Sequence, residues 1–500
     1  MFDLCVKGGI LIDAGGRRRA DLYVKDGKIA AIARPDAADA GAAAVDAAVD
    51  AAAADMKDAA GHFGLALAGA GGAPVVGVGA KEHSGAAGFL AKKTVDASGK
   101  YVFPGFVDPH THLNDPPGGD VSEDFYTGTC SAAAGGVTTV IEMPLTTPVV
   151  ATEAAFTAKR AICGPKAVVD FAMFGACTPD NQDEILRMRQ EGAAAFKAFM
   201  PYSTEIPRLN DGELWRAMER LAPLGILLSL HCENADMIAE FTAELRSRGK
   251  VQPRYYAAAH PEISEIEAVS RAALFAYKTG AKVHVCHCSL GEAVDIVDYY
   301  KGLGADITVE TCPHYLTLDE SYTERLGPYC VCNPPLRSRQ AKEELWKRVL
   351  QGKVDFIGTD HSAYLHSEKA EGNEDIFAAP PGITAMQLCF PLFFSEAVNK
   401  RGMSPERFAE MSCAGPAKRH GLYPRKGSLE PGADADFVIF APEEEWVIEE
   451  KDLFYLEKWT PNAGSRVKGR VKETIVRGMT VFKDGVITAE PGYGKFVPAI

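Results

Sequence analysis

The run GFVDPHTH at 105–112 carries His110 and His112 one residue apart. On a β-strand alternate side chains share a face, so both imidazoles can address one metal ion. The pair alone is a weak signal. It gains weight from His231 in ILLSLHCE, His287 in KVHVCHCS and Asp360 in VDFIGTDHS, each near the end of an apolar run. Four imidazoles and a carboxylate suit zinc or a similar divalent ion. They are many for one open catalytic site, which points to two metals. Two metals about 3.5–4 Å apart need a bridging anion besides hydroxide, and these run ends offer no obvious second carboxylate.

Lys197 fills that gap. It sits in the middle of AAAFKAFM, 193–200, which otherwise reads as a buried strand. An unpaired buried ammonium is costly. A long side chain that snorkels out, or pairs with a carboxylate, is the plain alternative. The neutral amine, favoured by burial and nearby cations, can instead add CO2. The resulting carbamate, N6-carboxylysine, has two oxygens, one for each metal.

Something must hold these residues together. Eight apolar runs alternate with helix-like segments: 105–112, 137–143, 168–175, 194–200, 226–233, 282–289, 306–315 and 354–362. Such alternation predicts an α/β fold, a (β/α)8 barrel. In that architecture chemistry sits at the C-terminal ends of the strands, where His110, His112, Lys197, His231, His287 and Asp360 all fall. Short strand-like runs punctuated by Gly and Asp-Gly mark both ends of the chain. They predict a small β-sandwich domain built from the two termini. The expected boundaries are 1–103 and 425–500 for that domain and 104–424 for the barrel. Residues 36–92, rich in Ala and then Gly, read as an insertion in the small domain. Its His62 and His83 have no ligand spacing and no assigned role.

Bulk properties agree with an enzyme of small molecules. A chain of 500 residues, 47% hydrophobic and 24% charged, is globular in composition. Its net charge of −14 disfavours nucleic acid or an anionic membrane as partner. No signal-like or membrane-spanning apolar segment stands out. The twelve cysteines are scattered, and Cys286/Cys288 and Cys330/Cys332 lack zinc-ribbon spacing. They read as buried free thiols of a reducing, cytoplasmic compartment.

The motifs GFVDPHTHLNDP, FKAFM, LHCEN, HVCHCS, ETCPHYL, NPPLR and GTDHS resemble those of the cyclic amidohydrolases, the group of allantoinase, hydantoinase, dihydropyrimidinase and dihydroorotase. The resemblance spans nearly the whole chain outside 36–92. It implies a hydrolase acting on the C–N bond of a cyclic amide, as a homo-oligomer, tetramer or dimer. It implies that His110, His112 and Asp360 hold the buried metal, and that His231 and His287 hold the more exposed one. Carboxylated Lys197 would bridge them, and Asp360 would be the general base. It further implies that Tyr202 stabilises the oxyanion, that Asn333 contacts substrate and that the loop at Ala379–Gly382 closes the pocket. His284 reads as structural. Non-catalytic relatives of scaffolding type lack the metal ligands, whereas all six positions are filled here.

The motifs narrow the substrate less sharply. Dihydroorotase carries Arg two residues after His-x-His, where this chain has Asn114. HLNDP, IEMPLTTP and DFAMFG resemble allantoinase, whereas Gly118-Gly119, VSEDFYTGT and Tyr202 lean towards hydantoinase. A cyclic ureide or imide of the allantoin or hydantoin type is expected, with a dihydropyrimidine as the alternative and dihydroorotate disfavoured.

Overall fold

The computed structural model describes residues 1–34, 90–116, 123–203 and 205–499. The insertion expected at 36–92, with His62 and His83, lies almost wholly outside the described residues. So do Gly118 and Gly119.

Eight parallel strands follow one another in chain order around a single curled sheet. They are Phe106–His112, Val137–Glu142, Asp170–Ala176, Ala195–Phe199, Leu228–His231, Val283–Val285, Ile307–Thr311 and Phe356–Ile357. The short strand His361–Ser362 then pairs in parallel with the first, His361 opposite Thr111 and Ser362 opposite His112. That last pairing closes the (β/α)8 barrel. These strands read as unbroken apolar runs because parallel barrel strands are covered on both faces. The second, third and fourth are buried at every residue. Helices cover the outside and begin at side-chain caps. Asn210, for example, forms a reciprocal capping box with Glu213 at the start of the helix Asp211–Leu221.

Two runs depart from expectation. The seventh strand stops at Thr311, and Pro313–Thr317 turns into a helix. Proline at the first helical position costs no hydrogen bond and has the right φ. The eighth run is broken between Ile357 and His361, where Asp360 adopts a φ of 47°.

Both ends of the chain build two further sheets. One has four strands, Phe2–Lys7, Asp21–Lys25, Lys28–Ala33 and Ala91–Asp96. The other has seven, combining Ile10–Asp13, Gly16–Arg19 and Tyr101–Pro104 with four strands after residue 436. Leu4, Val6, Leu22, Val24 and Val95 of the first sheet share one core with Leu11, Val102, Phe437, Ile439 and Ile475 of the second. The result is a small sandwich beside the barrel.

A buried charge cluster joins the two. Asp170, on the third barrel strand, approaches Asp434 and Asp436 of the sandwich. Three carboxylates could hold a cation, and here the cation is Lys426. Its Nζ donates to Asp170 at 2.5 Å and Asp436 at 2.6 Å, and lies 2.9 Å from Asp434. The Arg477 guanidinium and the Lys495 backbone N–H also donate to Asp170.

All twelve cysteines are buried and unbonded, as expected for free thiols. Among the described residues no helix is long and apolar enough to cross a membrane.

Candidate active site

Parallel strands deliver their C-terminal ends to one side of the barrel, and six ligand-type side chains meet there. His110 and His112 end the first strand on one face. His110 Nε2 lies 3.2 Å, and His112 Nε2 3.3 Å, from Asp360 Oδ1. The His287 ring centroid is 5.2 Å from that of His110 and 4.5 Å from that of His231. Lys197, from the fourth strand, is 1% exposed, and its Nζ sits 5.2 Å from the centroid of the Phe199 ring. All six line one cavity of about 600 Å³, together with Tyr202, Asn333 and Ala379–Gly382.

The backbone is bent to achieve this. Asp360 and His287 both have positive φ, 47° and 36°, a region non-glycine residues seldom occupy and that clusters at functional sites. Asp360 is set by its neighbour. The Thr359 hydroxyl donates to Asp108 at 2.6 Å and its N–H at 3.0 Å, which fastens the end of the eighth strand to the first.

Electrostatics favour the ligating forms. Burial pulls His110 down to about 4 and His287 well below its ordinary value. Both rings are therefore neutral at pH 7, as metal ligands must be. Burial alone would raise Asp360, but His110 and His112 outweigh it and hold the carboxyl down at about 2. The buried nitrogens His110 Nε2, Lys197 Nζ and His287 Nδ1 have no hydrogen-bond partner among the described residues. Buried polar atoms are nearly always paired. Several orphans facing one centre, beside an anionic Asp360, fit a site made for metal cations.

Three carboxylates that the motifs did not single out orient this set. Glu310 Oε1 lies 2.5 Å from His110 Nδ1, which leaves Nε2 as the nitrogen available to a metal. The same carboxylate accepts from the His287 backbone N–H at 3.2 Å and lies 3.4 Å from His284 Nε2. A Cβ on Gly358 would come within 2.6 Å of Glu310 Oε2, so glycine makes room for it. Glu233 lies 2.7 Å from His231 Nε2 and 2.9 Å from His260 Nδ1, leaving His231 Nδ1 as the nitrogen available to a metal. Glu142 accepts from the Leu113 N–H beside His112 and is paired with buried Lys159 at 2.8 Å. The signal for all three was the one that marked Lys197, a charged residue inside an apolar run.

Carboxylates behind ligating histidines fix tautomer and orientation. We expect Glu310→Gln to lower metal affinity or activity by about 10–100-fold while the fold persists. Metal titration alongside circular dichroism checks this, and unchanged affinity together with unchanged rate would refute it.

His284 stays off the cavity wall, bonded to Thr308 at 2.9 Å and stacked on Phe356. Asn333 Oδ1 accepts from Tyr256 OH at 2.7 Å, so its amide N–H groups are the part turned to other partners. Tyr202 is 67% exposed, with the Arg208 guanidinium carbon 4.5 Å from its ring centroid.

A barrel of this closure, with this ligand set at its C-terminal face, defines a class of metal-dependent hydrolases, and the comparisons agree. The Amidohydrolase family model matches residues 101–481, and the chain belongs to that family. It is 32% identical over 499 residues to an L-hydantoinase of Paenarthrobacter aurescens, covering 99% of this chain and 98% of that protein. It is 38% identical over 410 residues to an allantoinase of Rubrobacter xylanophilus, covering 81% of this chain and 89% of that one. The solved structure of L-hydantoinase (dihydropyrimidinase) from Arthrobacter aurescens superposes with a TM-score of 0.86 at 31% identity, with both chains fully covered.

Proposed function

We propose that this protein hydrolyses a ring amide bond of a cyclic ureide, using two divalent metal ions. The observation that carries the reading is the convergence of His110, His112, Lys197, His231, His287 and Asp360 on one cavity with buried nitrogens left unpaired. His110, His112 and Asp360 would hold the inner ion, and His231 and His287 the outer. Lys197, as its carbamate, would contribute an oxygen to each. Imidazole and carboxylate donors suit zinc. Bound there, such ions acidify water and polarise the scissile carbonyl.

The protein's own groups do the rest. Asp360, whose carboxyl lies below the ordinary carboxylate range, accepts a proton at its carboxylate and returns it to the departing ring nitrogen. The Tyr202 hydroxyl donates to the carbonyl oxygen as charge develops on it. Tyr202 borders the cavity at its exposed rim. Asn333 presents its N–H groups to the ureide edge while Tyr256 holds its oxygen. The backbone of Ala379–Gly382 borders the same space and excludes water.

The cavity also limits the substituent. Lys197 is the one ammonium or guanidinium side chain among its described lining residues, and Ile238, Ala239 and Phe377 form an apolar wall. A ring carboxylate finds no counter-charge in such a wall. A five-membered neutral ureide of the hydantoin or allantoin type fits best. A dihydropyrimidine presents the same edge, and the A. aurescens structure, titled as a dihydropyrimidinase as well, favours it as second reading.

A ring-opening assay on allantoin, a 5-substituted hydantoin, dihydrouracil and dihydroorotate tests this. A five-membered neutral ureide should open fastest, dihydrouracil more slowly and dihydroorotate poorly. With the best substrate, Tyr202→Phe should lower kcat by about 10²–10³-fold. Efficient opening of dihydroorotate, with none of the neutral rings, would overturn the substrate assignment.

A further inference from the structure

We infer that Lys369 is a positioning residue that latches together the two loops forming the outer wall of the cavity, and thereby sets which ring substituents the site accepts. The inference rests on the ureide-hydrolase reading for its kinetic consequence, but not for the latch itself.

Lys369 lies on the short helix His366–Ala370 and is fully buried. Among the described residues no carboxylate pairs with its ammonium. Its Nζ donates instead to Pro380 O and Gly382 O, both at 2.7 Å, with a longer 3.5 Å contact to Val331 O. An ammonium has three donors and no acceptor, so three converging carbonyls match it. The faces of Tyr364 and Trp459 lie 5.3 and 5.7 Å from the Nζ, close enough for cation–π attraction.

The acceptors matter because of where they sit. Pro380 and Gly382 belong to the loop that borders the cavity, and Val331 lies two residues before Asn333, which also borders it. One side chain thus spans two loops that meet substrate. The first loop is poor in donors of its own, since Pro380 and Pro381 have no N–H. Between the two loops the Gly382 N–H donates to Val331 O at 2.9 Å. Lys369 adds its side-chain hydrogen bonds to this tie and to the apolar packing of Val331 with Ile376 and Ala379. The fit is close: a Cβ on Gly382 would come within 2.5 Å of Ser362 O and 2.6 Å of the Tyr364 ring. Lys369 makes no hydrogen bond or ion pair with His110, His112, Lys197, His231, His287 or Asp360, and the nearest tie to them is indirect, through the bridge of His361 to Ile383. Removing it should therefore loosen substrate binding more than it slows chemistry.

The test compares full-length, metal-loaded wild type with Lys369→Met, which keeps length but no donors, and Lys369→Arg, which keeps charge and donors. Hydrogen exchange is followed over 376–384 and 329–334, with metal content and kinetics on neutral cyclic ureides measured in parallel. In the Met variant, exchange in both segments should rise about tenfold or more, with the barrel strands unchanged. Metal content should hold. KM should rise about tenfold while kcat falls less than threefold, and the order of preference among substituted rings should change. The Arg variant should recover part of the protection and of the KM.

Wild-type exchange and KM in the Met variant would overturn the inference. So would loss of metal with equal falls in kcat and kcat/KM, or no recovery with Arg. If Met fails to fold, Lys369→Gln takes its place, and failure of both would assign Lys369 to folding and overturn the positioning role. Should wild type open none of the ureides, the functional reading fails, and the exchange data decide the latch alone.

Discussion

Lys197→Ala is expected to lose at least one metal equivalent and nearly all turnover. The side chain is 1% exposed, its Nζ has no hydrogen-bond partner among the described residues, and the strand around it is buried throughout. A lone ammonium there would carry an uncompensated desolvation cost. As a carbamate between two cations, in the reading proposed above, the same atom would become part of the centre and the cost would be offset. Alanine would remove the bridge and leave the histidines and Asp360 to hold two like charges without a shared anion. Lys197→Arg should fail as well, because a guanidinium stays charged and cannot take up CO2. Elemental analysis of the purified variants and their ring-opening rates are the measurements. Full metal content with a normal rate in either variant would end the carbamate proposal.

Asp360→Asn separates proton transfer from folding. Its φ of 47° lies where Asn is tolerated nearly as well as Asp, so the turn after the eighth strand should survive. The amide can still face His110 and His112, which lie 3.2 and 3.3 Å from the present carboxylate. It cannot accept a proton. Turnover should fall about 10²–10⁴-fold from lost acid–base chemistry, and further where metal geometry shifts, while much of the metal remains. A kcat like that of wild type would show that another base operates.

Much of this site was legible in sequence because barrel strands are buried on both faces. Apolar runs of strand length announced them, and polar residues in or at the end of five of the eight runs announced the candidate site. Lys197 was legible for the same reason, being out of place in its run. What the runs could not tell is which way an interior charge points. Glu310, Glu233 and Glu142 stood in plain view in VETC, LHCE and VIEM. Their partners lie 200, 2 and 17 residues away, and only the first separation requires the closed barrel to be found. Lys369 was invisible in another way. It bonds to backbone carbonyls, which carry no residue-specific signal. The break in the eighth strand is signalled by Gly358 and Asp360, both turn formers, inside VDFIGTDHS, and is missed when that stretch is read as one run.

The cluster around Asp170 bears on the order in which the chain can become native as it is synthesised. Asp170 is made early, on the third barrel strand. Its cationic partner Lys426 follows 256 residues later, and the Arg477 and Lys495 contacts come 307 and 325 residues after it. A nascent chain that has emerged through the eighth barrel strand holds every ligand of the site yet has no cation for this carboxylate. Burying the charge unpaired is strongly unfavourable, so the final packing of the third strand is coupled to residues made only after the barrel, Lys426 first among them. The two domains are thereby tied into one cooperative unit, and a barrel severed before residue 426 would carry an unpaired buried carboxylate at the base of its third strand.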